Sequence, residues 1–128
     1  MKYAIIIARV LLGLVFVVFG FNAFFQFIPQ QPMPEQAVAF MTPLISSGYY
    51  YPIAVLQILG GICLLIGARF VPLGLTLLGP IIVNIMLFHI FIVRSGLEIA
   101  VVVSVLALFL LWVYRFKFPA IFRIGEPL

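Results

Sequence analysis

Charge is what this chain has least of. Only 8% of its residues are charged, against 66% that are hydrophobic. An ordinary soluble domain carries roughly 25% charged residues, and one of this size would still have to cover much of its surface with polar groups. A water-soluble fold is therefore excluded. Cysteine is nearly missing as well. Cys63 stands alone, so there is no internal disulfide, and zinc or iron–sulfur centres lack the several thiolate or imidazole ligands they need. Inside an apolar run, Cys63 reads as a small packing residue. His89 is the single histidine and cannot supply both axial ligands of a haem, and no metal site is expected. The seven basic residues are scattered and form no stripe for nucleic acid. The sequence contains no internal repeat, no low-complexity tract and no cofactor motif.

Four long apolar runs are what it does have, at residues 4–28, 51–68, 71–93 and 97–114. A hydrocarbon core about 30 Å thick takes roughly 20 apolar residues per helix, so the chain is expected to be an integral membrane protein. Barrel strands would alternate apolar and polar over about ten residues, whereas stretches such as 5–10 and 99–103 do not alternate. Continuous runs in lipid pair their backbone groups internally and become helices. The first run is longer than the roughly 7–15 residues of a secretory signal core and ends without a small-residue cleavage site. It reads as a retained helix. Orientation follows from the basic residues. Placing both termini and the 69–71 turn inside puts Lys2, Arg9, Arg69, Arg115, Lys117 and Arg123 on the cytoplasmic side and leaves only Arg94 outside. The positive-inside rule then gives N-in/C-in, with the net charge of +4 facing anionic lipid.

The expected fold is all-α: one domain, residues 1–128, forming an antiparallel four-helix membrane bundle. The breaks at 69–71 and 94–96 are so short that the second helix must neighbour the third, and the third the fourth. The first connection, residues 29–50, is long and rich in proline. Within it, residues 34–41 read as a short interfacial helix, with Pro34 and Glu35 in the favourable first turn. Long loops of this kind serve either as functional lids or as linkers resting at the interface. Tyr49, Tyr50 and Tyr51 suit an outer aromatic belt, Trp112 and Tyr114 an inner one. Gln57, Gly60, Gly61, Leu64 and Ala68 share a helical stripe typical of helix–helix contacts, and exposed small residues point to a homodimer.

Function must be sought among polar groups at membrane depth, which are costly unless they face protein. At 1.5 Å per residue, Asn22 lies roughly 9 Å from the outer end of the first helix and Gln57 similarly far below Tyr51. His89 is about 7–8 Å, and Asn84 about 15 Å, inside Arg94. Asn22 and Gln26 share a face, whereas Asn84 and His89 differ by roughly 140°. The candidate ligand-binding residues are thus Asn22, Gln26, Gln57, Asn84 and His89, and no catalytic residue is identified. Each also has a plainer role. Asn84 and Gln57 can bond across helices as glue. His89 can donate to a backbone carbonyl and do nothing more, or serve as a proton carrier or as a hydrogen-bond donor to a quinone carbonyl. Arg9 is expected to snorkel to the inner headgroups. Pro80 removes a donor and predicts a kink. Ser95-Gly96-Leu97-Glu98 matches a capping box, which favours a structural Glu98 over a catalytic acid.

The stretch Arg9-Val10-Leu11-Leu12-Gly13-Leu14-Val15-Phe16, followed by Phe19-Gly20-Phe21-Asn22, resembles the first helix of DoxX-like membrane proteins. So do residues 60–67 in the second helix, and 71–74 leading to Gly79-Pro80-Ile81-Ile82-Val83-Asn84 and His89 in the third. The resemblance spans all four helices. It implies a small bundle of the bacterial inner membrane. Some relatives are membrane subunits of a thiosulfate:quinone oxidoreductase, and others are associated with oxidant defence. Relatives often carry glutamate at the position of Gln57; glutamine can hydrogen-bond there but cannot exchange a proton at physiological pH. The leading expectation is a redox-associated subunit that binds a quinone or similar apolar molecule in the outer half of the bilayer, with electrons coming from a partner oxidoreductase subunit. The alternative is a non-catalytic assembly component acting through its glycine-rich faces.

Overall fold

A computed structural model describes residues 1–29 and 32–118. Five α-helices follow one another: α1 Lys2–Phe25, α2 Glu35–Ser46, α3 Tyr50–Ile66, α4 Val71–Phe91 and α5 Leu97–Val113. No strand occurs among the described residues. Arg123 lies outside them.

Helix α1 stops short of residue 28 because its own Asn22 ends it. Gln26 turns into the left-handed region (φ 52°) and its N–H donates to the Asn22 carbonyl. The Ile28 N–H then donates to Asn22 Oδ1 at 2.8 Å. Helix α2 opens after Pro34 with Glu35 in its first turn, then runs beyond the expected 34–41 through Pro43 to Ser46. The chain bends by 88° between α2 and α3. Helix α3 ends at Ile66, and an extended Gly67 and a 3-10 turn at Ala68–Phe70 lead into α4, with Pro72 in its first turn. Helix α4 is continuous through Pro80. Before α5 the capping box does not form. Gly96, at φ 85°, occupies the N-cap, no side chain caps the helix, and Glu98 acts only as an acidic residue in the first turn.

Two stretches, Lys2–Phe25 and Ala68–Phe91, are long and apolar enough to cross a membrane. The regular structure of the described residues is all helical, and these two stretches mark a membrane protein. Helices α3 and α5 have 17 residues each, about 25 Å of rise, less than the sequence runs suggested. Helix α1 packs on α3 and α5, and α4 also packs on both, so four helices close a ring. Leu12, Leu64, Leu78, Leu110 and Val71 are fully buried at its centre.

Glycine sets the closest approaches. A Cβ on Gly61 would lie 2.7 Å from the Gly13 carbonyl of α1, and one on Gly74 2.9 Å from the Gly60 carbonyl of α3. Contacts pair Gly13 with Gly61 and Leu65, and Gly20 with Ala54 and Ile58, so α1 and α3 run antiparallel. Gly60 and Gly61 of the expected helix–helix stripe therefore face α4 and α1 of the same chain, while Ala68 is exposed.

A capped groove as candidate functional site

Where α2 folds across α3 and α4, the helices leave a groove of about 750 Å³. Its walls are mostly apolar: Phe40, Met41 and Leu44 from α2, Ile53 from α3, and Ile81, Ile85 and Phe88 from α4, with Tyr49 and Tyr50 at the bend. The rings of Phe40 and Phe88 are 5.6 Å apart and tie α2 to α4. Gln57, Asn84 and His89 supply polar side chains within this wall. The groove lies at the end where α1 and α4 finish and α3 and α5 begin, opposite Lys2, Arg69 and Arg115.

The five residues singled out from sequence divide into two groups. Gln57, Asn84 and His89 share the groove; Asn22 and Gln26 are not part of its lining. Asn22 is engaged by the Ile28 amide, and Gln26 is the exposed C-cap of α1. The third wall comes from α2 instead of α1. The signal was present in the apolar Phe40, Met41 and Leu44, which one side of a short helix brings together, but it spoke for a cover and not for a wall.

Each polar group has a definite local environment. The Asn84 amide nitrogen donates to the Pro80 carbonyl one turn back, at 2.8 Å, which leaves Oδ1 and one amide hydrogen free. Gln57 makes no hydrogen bond among the described residues. No buried side-chain nitrogen or oxygen there lacks a partner, so the half-buried Gln57 amide is accessible. His89 Nδ1 lies 3.0 Å from both the Val93 and the Ser95 carbonyls, in the turn after α4. Its ring meets Phe88 edge-on at 5.4 Å. It thus performs the plainer backbone task foreseen for it while still lining the groove.

Arg9 has a partner inside the bundle. Its Nε donates to the Leu64 carbonyl at 3.2 Å, next to the C-terminal end of α3, where carbonyls lack intrahelical partners and a cation is favoured. It thus caps a neighbouring helix.

Fold and groove together define a small helical membrane protein with a polar-studded apolar recess at one end of its helices. No protein-family model, no curated protein and no solved structure matches the chain.

Proposed function

We propose that this chain is a multi-pass antiparallel four-helix bundle of the bacterial inner membrane, oriented N-in/C-in, whose outer-half groove binds a quinone or similar apolar small molecule. It would act as a redox-associated subunit, with electrons exchanged through a partner oxidoreductase. The observation that carries the reading is the groove itself: about 750 Å³ with Gln57, Asn84 and His89 set in an apolar, aromatic wall. That volume and that ratio of apolar to polar groups suit a drug-sized ligand held by few oriented contacts. The basic residues Lys2, Arg69, Arg115 and Lys117 at the opposite end support the orientation. The likeness to DoxX-like proteins, on the residues quoted above, points the same way.

The test is titration of the chain in lipid nanodiscs with ubiquinone and menaquinone analogues. Saturable binding weakened by Asn84→Ala and Gln57→Leu is expected. Absence of saturation, or binding indifferent to both changes, refutes the reading. The scaffold alternative draws no support from Gly60 and Gly61, because both are occupied by helix contacts within the chain.

A further inference from the structure

We infer that the groove selects a hydroxyl-bearing aromatic ligand, the hydroquinone rather than the quinone form of its occupant, because His89 is held as a hydrogen-bond acceptor. The inference rests on the reading of the groove as a quinone-type site and adds which redox form it prefers.

The argument begins with two carbonyls. Val93 O and Ser95 O each lie 3.0 Å from His89 Nδ1. A carbonyl oxygen only accepts, so Nδ1 must carry the hydrogen. A neutral imidazole has one N–H, and its other nitrogen is then a lone pair. Turning the ring over would bring a carbon to the carbonyls and forfeit both bonds, so the tautomer is fixed by the turn that follows α4. The ring is also confined sterically. Phe88 meets it edge-on at 87°, and even a Cβ on Gly96 would come within 3.0 Å of His89 Cε1. Nε2 makes no hydrogen bond among the described residues, and it is not among buried atoms lacking partners. It is therefore accessible on a ring that lines the groove.

A quinone carbonyl presented to that nitrogen would set lone pair against lone pair. A hydroxyl would donate to it. Gln57 and Asn84 do not discriminate, since each amide still offers both an acceptor oxygen and an N–H. His89 is the positioning group that does.

The experiment uses the full chain in nanodiscs with three probes: a short-tailed 1,4-hydroquinone kept reduced anaerobically, the matching quinone, and its 1,4-dimethyl ether. The hydroquinone is expected to bind at least about fivefold more tightly than either of the others, the scale of one net hydrogen bond and one avoided lone-pair clash. His89→Phe should erase that preference. Equal or tighter quinone binding overturns the inference and leaves the groove reading intact; failure of every probe to saturate overturns both. Nitrogen NMR of the ring gives a second readout that needs no variant, because the chain has a single histidine. A neutral ring protonated at Nδ1 is expected. An Nε2–H tautomer or an imidazolium, either of which would donate from Nε2, overturns the inference.

Discussion

Thr42, Thr76, Asn84 and Ser104 all donate to the carbonyl four residues back on their own helix. In hydrocarbon an unpaired polar group costs several kcal/mol, and this local bonding pairs the three hydroxyls, and one N–H of Asn84, without help from a neighbour. Gln57 has no such partner, which makes it the side chain most available to a ligand. Gln57→Leu should leave the unfolding temperature in detergent near that of the parent while weakening quinone-analogue binding roughly tenfold. Asn22→Ala should do the opposite. Losing the acceptor for the Ile28 amide costs about 1 kcal/mol, seen as a lower midpoint with ligand affinity unchanged. Arg9→Met removes the donor to Leu64 and should cost about 1.5–3 kcal/mol, since the bond is charge-assisted. The three variants together separate roles that composition alone could not. At this scale the sequence was legible in depth but not in bonding. Rise per residue put Gln57, Asn84 and His89 at suitable heights, yet it could not show that Asn22 would close its own helix. The i,i+4 pair Asn22–Gln26 looked like a shared polar face, and it is the residue pair that ends α1.

Among the elements, what determines the packing is how near two backbones come. A methyl on Gly61 would press on the carbonyl of Gly13 at 2.7 Å, and backbone yields less easily than a side chain. Gly61→Ala should therefore lower stability by about 1–3 kcal/mol, the usual range for overpacking. Gly67→Ala is the control: nothing lies within 4 Å of the added carbon and its backbone is extended, so its unfolding midpoint should stay within about 0.5 kcal/mol of the parent. The existence of α1, α3, α4 and α5 could be read from the apolar runs, because length and continuity are strong signals. Their ends could not. Ser95 and Glu98 had the spacing of a capping box, but the chain reverses through Gly96 at φ 85°, and the Ser95 carbonyl accepts from His89 instead. Helix α2 outran its expected end and carries Pro43 in its interior, where the ring nitrogen gives up one internal hydrogen bond.

For the molecule as a whole, the order of helices around the ring combines with their lengths. Helices α1 and α4 have 24 and 21 residues, and α3 and α5, each lying between them, have 17. Long and short members therefore alternate, and at 1.5 Å per residue they differ by roughly 6–10 Å. In the proposed four-span arrangement, a bilayer that suits one pair is mismatched to the other. The long pair can tilt, whereas lipid beside the short pair must thin. Thermal stability in vesicles of increasing acyl-chain length is accordingly expected to peak at a thickness below about 30 Å and to fall in thicker membranes. Such a protein would accumulate in thin, fluid patches of its membrane and leave thick, ordered ones, so its place within the membrane plane would be set by the lipids it deforms least.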